Sequence, residues 1–344
     1  MANINTLDAV SGTTDDAQTF QTAFGYGSTS DLFILYSDKI LYNALPAMRF
    51  EQFAVHREDL MKGPGDTIKF IRILDVDGNP RILSELADPD ITTLSSESVV
   101  IEVAEFGKGE AVTERLLRTS PIDVMEQMTT VLGRHYSQWG PDYVLRNTAL
   151  DLNEAGTWGS AVAVQYGGNA TSRSTLDAAD LFTVADVQAA VERLQTLNVP
   201  MFDNQYYVCI AHPHQLASIK VDPDWVAAQN YGQTRALFTG EIGMWDSVIF
   251  LSDPNLPNGA QSTSTAKDYN ALLRVNGAGA GDPAVPVYTA VIFGDEYYAL
   301  ATALPVQLRS ETPEGFGRRL KIAWYAVYGA GRLNDTHGIR LETA

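Results

Sequence analysis

Two β-type runs, residues 67–74 and 98–106, constrain this chain more than any other feature. The first (Thr67-Ile-Lys-Phe-Ile-Arg-Ile-Leu74) is β-branched and aromatic. The second alternates apolar with acidic residues from Ile101 onward, the period of a half-buried strand. About two dozen residues separate them, including Asp77-Gly78-Asn79-Pro80, where glycine tolerates positive φ and proline stops further ladder pairing. The pattern predicts a long projecting hairpin with an acidic far part: Glu85, Asp88, Asp90 and Glu97 against Arg81 alone. Such a hairpin cannot bury both faces within its own subunit, so a neighbour must cover it.

What flanks the hairpin is equally uneven. Residues 1–30 are small and polar, with too little apolar matter to pack by themselves, and read as an arm. Residues 32–60 turn aliphatic and aromatic (Phe33, Tyr36, Phe50, Phe53) and must lie against something. Beyond the hairpin, Ser120 as cap, Pro121 at the first helical position and Asp123 at the positive end of the dipole predict a helix, with apolar residues recurring at Met125, Met128, Leu132, Tyr136 and Trp139. Gly140-Pro141 should kink it. Tyr143, Val144 and Leu150 resume the helical spacing, so the element over residues 121–152 reaches about 45 Å at 1.5 Å per residue.

Residues 155–180, rich in Gly, Ser, Thr and Ala, mark a boundary. An amphipathic helix begins at Thr183 or Ala185 and ends at Asn198-Val-Pro200, and residues 205–211 form a buried strand. Short helices at 215–220 and 225–230 and a strand at 245–251 follow, an alternation that makes a mixed α/β domain. Residues 252–286 are loop-like. Strands return at 287–293, 297–303 and 319–328, and Ile339-Arg-Leu341 ends the series.

Composition narrows the function. The net charge of −18, from 42 acidic against 24 basic residues, argues against a dedicated nucleic-acid or anionic-membrane binder. Cys209 is the only cysteine, so no intramolecular disulfide forms and packing alone holds the fold, as expected in a reducing cytoplasm. The start lacks the basic flank and apolar stretch of a signal peptide, and no run approaches the roughly 20 apolar residues of a membrane helix.

Candidate chemical motifs are weak. Pro283 and Pro286 forbid the helix that a phosphate-binding Gly277-x-Gly-x-Gly281 would need. Asp75-x-Asp77-x-Asn79 opens like a calcium loop but carries Leu86 where a bidentate Glu belongs, and reads as a turn. His212-Pro-His214 lacks further ligands at metal spacing and reads as strand-end histidines. Cys209 sits within an apolar strand, where a thiol is inert packing. No catalytic residue, cofactor site or metal site is expected.

The order of polar arm, long hairpin, long helix, α/β domain with a loopy insert and long returning strand resembles the HK-ninety-seven-like capsid fold of tailed bacteriophages. Several stretches are similar to the N-four-like major capsid family: Ile82-Leu-Ser-Glu-Leu86, Val103-Ala-Glu-Phe-Gly107, Ile210-Ala-His-Pro-His-Gln-Leu216, Gly240-Glu-Ile-Gly243, Phe293-Gly-Asp-Glu-Tyr-Tyr298 and Leu320-Lys-Ile-Ala-Trp-Tyr-Ala-Val-Tyr-Gly-Ala-Gly-Arg-Leu-Asn334. The spacing around 155–180 and 254–285 is longer than the family pattern.

The resemblance implies an α+β fold divided into an N-terminal arm and lead-in (1–60), an E-loop hairpin (61–110), a P-domain with the spine helix (111–180), an A-domain (181–308) and C-terminal strands returning to the P-domain (309–344). It implies a structural major capsid protein, not an enzyme, that forms pentamers and hexamers of an icosahedral head enclosing double-stranded DNA. It further implies assembly in the host bacterial cytoplasm with scaffold and portal, with cement proteins in some members. DNA is touched only by non-specific proximity, and no membrane is involved. Another virion or surface-layer structural protein is the alternative, and a soluble hydrolase the last.

Charge adds a contact hypothesis. Residues 309–340 carry six basic residues (Arg309, Arg318, Arg319, Lys321, Arg332, Arg340) against three acidic ones, reversing the global balance. Asp77, Gly78, Glu85, Asp88 and Asp90 of the hairpin are therefore candidate inter-subunit contacts to Arg318, Arg319 and Lys321 next door. The alternative is that these cations pair within their own subunit.

Overall fold

A computed structural model describes residues 48–58, 65–73, 91, 93–121, 123–152, 158–225, 241–258, 274–275, 285–310 and 318–344. After a 3-10 turn at Glu51–Phe53 come β1 (Val55–Arg57), β2 (Thr67–Ile73), β3 (Ser96–Glu102) and β4 (Ala104–Thr113), then the helices α1 (Glu114–Thr119), α2 (Val124–Trp139) and α3 (Pro141–Ala149). They are followed by β5 (Ala163–Tyr166), α4 (Val184–Thr196), β6 (Tyr207–Ala211), α5 (Pro213–Ile219), β7 (Glu241–Trp245) and β8 (Val248–Ser252). The last strands are β9 (Arg274–Val275), β10 (Val285–Pro286), β11 (Tyr288–Phe293), β12 (Tyr298–Ser310), β13 (Arg319–Arg332) and β14 (Gly338–Thr343). The fold is mixed α+β.

Two larger sheets organise these elements. One has the order β1-β12-β13-β4 and the other β5-β14-β11-β6-β8-β7, while β2-β3 and β9-β10 pair separately. Within the six-stranded sheet β6, β8 and β11 are buried on both faces, which explains why they read as apolar runs. Along β6, Tyr207, Cys209 and Ala211 pack with Val187, Val191 and Leu194 of α4 and Leu216 of α5. The alternate residues Val208 and Ile210 join a second core with Leu145 and Ala149 of α3, Met128 and Leu132 of α2, and Trp324, Ala326 and Tyr328 of β13. Phe50 and Phe53 of the aromatic lead-in fill the same core; residues 32–47 lie outside the described residues.

The long helix is two helices. Gly140 (φ −80°, ψ −141°) separates α2 from α3, its amide donating to the Tyr136 carbonyl at 2.7 Å, and Pro141 starts α3 at its first position. A Cβ at 140 would lie 2.5 Å from that carbonyl oxygen, so only glycine fits the joint. The cap of α2 is Asp123, which accepts from the Met125 and Glu126 amides at 3.0 and 3.2 Å. Ser120, expected to be the cap, instead closes α1, a helix of one and a half turns too short for periodicity to register.

Other expectations change for local reasons. The run 98–106 breaks at Val103, whose amide donates to the Asp66 carbonyl at 2.9 Å; β3 pairs antiparallel with β2, whereas β4 pairs with β13 over ten residues. The strand expected at 245–251 is a hairpin, because Asp246 (φ 47°) and Ser247 (φ 61°) both turn left-handed and fold β7 back onto β8. Segment 155–180 contains β5, an edge strand parallel to β14. The C-terminal strands do not all return to the sheet beside the spine helices: β13 does, but β14 lies in the six-stranded sheet between β5 and β11. All six residues of β14 are buried, so only an interior slot satisfies it. The helix expected at 225–230 is seen at its start, residues 223–225 being helical with Trp225 packed edge-on against Phe250 at 5.0 Å, whereas 226–230 and the glycine-rich 277–281 lie outside the described residues.

Candidate assembly surfaces

The β2-β3 hairpin has two unlike faces. Cross-strand pairing places Ile68, Phe70 and Arg72 opposite Ile101, Val99 and Glu97. Ile68 and Ile101 are buried against Ala299 and Ala301 of β12, which seats the stem on its own subunit. The stem crosses β13 where a Cβ at Gly329 would collide with the Glu102 carbonyl and one at Gly331 with the Ile101 side chain. Those two glycines allow the close approach. The opposite face carries Ile71 (67% exposed), Ile73 (62%) and Val100 (55%), and Ile91 and Leu94 farther along are more exposed still.

A second surface lies where β12, β13 and β4 run beyond α2. Register sets Arg319, Lys321, Ala323 and Tyr325 beside Thr113, Ala111, Gly109 and Gly107, with Arg309 opposite Ala323. Alternation puts these residues on one face, floored by small side chains and bordered by three cations. A concavity of about 400 Å³ opens there among Gly109, Ala111, Arg309, Lys321 and Ala323. The Arg309 guanidinium lies 4.1 Å over the Tyr325 ring, and Leu308 (56% exposed) is on the other face. Arg318 holds the corner through its carbonyl, which accepts from the Glu114 amide at 2.9 Å.

Behind these surfaces the helix pair is fixed by side chains. Trp324 Nε1 donates to His135 Nδ1 at 3.2 Å, pinning α2 to β13; burial and Lys108 push the His135 pKa down, as suits a neutral acceptor. The last carbonyls of α3 and the residue after it each receive a donor: Arg332 Nη1 to Thr148 at 3.1 Å, Tyr297 Oη to Ala149 at 2.6 Å and Arg340 Nη1 to Leu150 at 2.7 Å. Two cations at a helix C-terminus also complement its dipole. Arg332 is held in turn by Asp151 and Asp335, both at 2.6 Å. Arg340 meets the fully buried Glu342 at 2.9 Å, and Arg173 closes on the same carboxylate. Trp158 stacks beneath both guanidinium groups, at 4.7 Å from Arg173 and 4.2 Å from Arg340.

The groups that invite a catalytic reading are packed. His214 stacks on Tyr288 at 4.2 Å, His212 lies tilted against the same ring at 5.0 Å, and His212 Nδ1 caps α5 by accepting from the His214 amide. Burial, then the neighbouring His214, pushes His212 down to about 4, so it is neutral there. Burial drives the Cys209 thiol far above its usual range. Among the described residues no cluster of His, Cys, Asp or Glu is grouped to hold a metal ion.

The sequence model of a family described as phage capsid protein matches residues 46–335, most of the chain. The chain belongs to the phage capsid protein family. The fold of this capsid protein is also that of solved phage shells. The Cyanophage Pam1 capsid subunit is similar at a TM-score of 0.70 and 19% identity, covering 92% of this chain and 97% of that one. The capsid of Ralstonia phage GP4 gives 0.68 at 17% identity, covering 90% and 94%. The capsid of Helicobacter pylori bacteriophage KHP30 gives 0.62 at 13%, covering 92% and 96%. Comparison with curated protein sequences yields no match. The chain is therefore a structural phage capsid protein, and the virion shell is its place.

The contact residues named from sequence divide accordingly. Asp77, Gly78, Glu85, Asp88 and Asp90 lie outside the described residues. Arg319 and Lys321 share one face at the start of β13, with Arg309 across the strand pair, and the exposed Arg318 precedes the strand. Arg332 and Arg340, counted with them as one basic region, do not belong to it, because both turn inward to cap α3 and pair with Asp151 and Glu342. Sequence reasoning missed the apolar stripe Ile71, Ile73 and Val100; the β-branched run contained it, but which face would be covered depended on β12.

Proposed function

We propose that this capsid protein builds an icosahedral head around double-stranded DNA as pentamers and hexamers of the HK-ninety-seven-like type. On this reading β2-β3 is the E-loop, α2 and α3 are the two-part spine of the P-domain, the six-stranded sheet with α4 and α5 is the A-domain, and the residues before the lead-in form the N-terminal arm. The subunit performs no chemistry. It assembles in the host cytoplasm on a scaffold and portal, and it meets DNA only by proximity, as its charge of −18 suits.

The observation that carries the reading is the half-covered hairpin. One face is buried on its own subunit and the other presents Ile71, Ile73 and Val100 to solvent, a stripe that shell closure would cover. The acidic stretch through Glu85, Asp88 and Asp90 docks on the cationic surface of Arg309, Arg318, Arg319 and Lys321 of a second copy.

Electron microscopy of the purified chain with and without scaffold tests this. Rings, shells or sheets are expected, and a persistent monomer in the presence of scaffold would refute it. Reversing Arg318 and Arg319 to Glu should stop assembly with the monomer still folded; normal shells from that variant would refute the docking.

A further inference from the structure

Where the lead-in meets α3 and the end of β8, a small set of charges is sealed from solvent. Asp142 is 3% exposed, Arg146 5% and Asp253 1%. Asp142 Oδ1 accepts from the backbone amides of Arg49 and Phe50 at 2.8 and 2.7 Å, and Tyr298 Oη donates to the Phe50 carbonyl at 2.8 Å. These contacts fasten residues 49–50 to α3 and β12. Asp253 Oδ1 receives the Asn255 amide at 2.9 Å, but among the described residues its Oδ2 has no hydrogen-bond partner, and neither do Nε and Nη1 of Arg146. Buried polar atoms left in this state are rare and call for a reason.

The sum of charges supplies one. Arg146 attracts both carboxylates, Arg49 attracts Asp253 from the lead-in, and Asp142 and Asp253 repel each other. Glu51, itself within the field of Asp142 and His56, adds further negative charge from the lead-in side. The two amides on Asp142 Oδ1 favour its charged form, whereas Asp253 Oδ2 has no donor to do the same. A proton arriving in this cluster therefore belongs on Asp253 Oδ2. It removes the repulsion on Asp142, turns the bare acceptor into a donor and leaves Arg146 to balance Asp142 alone.

We propose that Asp142, Arg146 and Asp253 form a proton-operated clasp on the lead-in, gripping residues 49–50 more tightly when Asp253 is neutral. The clasp lies within one subunit and does not depend on how subunits meet. Burial pushes the Asp253 pKa up to about 6, with Asp142 adding to the rise, so the transition falls between neutral and mildly acidic pH.

Hydrogen exchange of the intact chain, corrected for intrinsic rates, reads the clasp at the Arg49 and Phe50 amides. Protection should rise about tenfold from pH 7 to pH 5, the linkage expected when opening returns the carboxyl to its ordinary pKa. In Asp253→Asn it should be high and the same at both pH values, and in Asp142→Asn low at both. A flat wild-type profile, or an unchanged tenfold rise in Asp253→Asn, overturns the proposal. Should Asp253→Asn not fold, carboxyl-carbon NMR of the wild-type chain decides: an aspartate titrating near pH 6, in step with amide shifts at Arg49 and Phe50, supports the clasp, and its absence overturns it.

Discussion

Replacing Arg340 with Met tests whether the capsid protein's spine is held by its buried charge network. Arg340 is 3% exposed and serves three partners at once: the Leu150 carbonyl just beyond α3, the Glu342 carboxylate and the face of Trp158. Methionine keeps much of the volume but removes all three. Breaking a buried ion pair costs about 3–5 kcal/mol because the remaining charge is left uncompensated. A buried carbonyl without a donor costs about 1–3 kcal/mol more, and the stacked cation about 1–2 kcal/mol. These overlap, and Arg173 still reaches Glu342, so the expected loss is about 3–5 kcal/mol, the range for the ion pair alone. Arg173→Met should cost less, since that side chain is 23% exposed and water can replace it. Equilibrium urea unfolding of the unassembled subunit measures both. The double variant with Glu342→Gln should show strong coupling. A loss under about 1 kcal/mol, or effects additive to within about 0.5 kcal/mol, would refute the network argument.

Further predictions concern pH, packing and the helix end. Asp253 binds its proton more readily folded than unfolded, so its stabilising contribution is complete below its unfolded pKa near 4 and disappears as pH rises through about 6. His212, pushed down to about 4, works the opposite way, its contribution being lost as pH falls toward that value. The Asp253 part is therefore read as a difference: relative to the wild type, Asp253→Asn should gain about 1–2 kcal/mol between pH 5 and pH 7 in thermal or urea unfolding. Gly329→Ala should loosen the hairpin stem, costing about 1–3 kcal/mol and raising protease cleavage between 65 and 102, because its methyl meets the Glu102 carbonyl. Tyr297→Phe should cost about 1–3 kcal/mol in urea unfolding by leaving the Ala149 carbonyl without its donor; no change would mean that another group satisfies it.

The sequence by itself determined the local elements. β-branched and alternating residues marked strands at 67–74 and 98–106, an apolar run marked β6 as buried, and the chemistry of Gly140-Pro141 marked the joint in the spine, because dihedral preference and side-chain period are properties of neighbouring residues. Six short stretches in order were enough to indicate the family.

Tertiary structure decided what each element was for. Nothing local distinguishes Arg332 and Arg340 from Arg318 and Arg319, and only the arrival of α3 beside β13 and β14 turns the first pair inward and leaves the second pair on the cationic surface. Likewise the sequence marks Asp142 and Asp253 as ordinary carboxylates 111 positions apart, and the fold buries both around Arg146. Long-range packing controls burial, and burial sets whether a charge is a surface contact, an internal brace or a proton site.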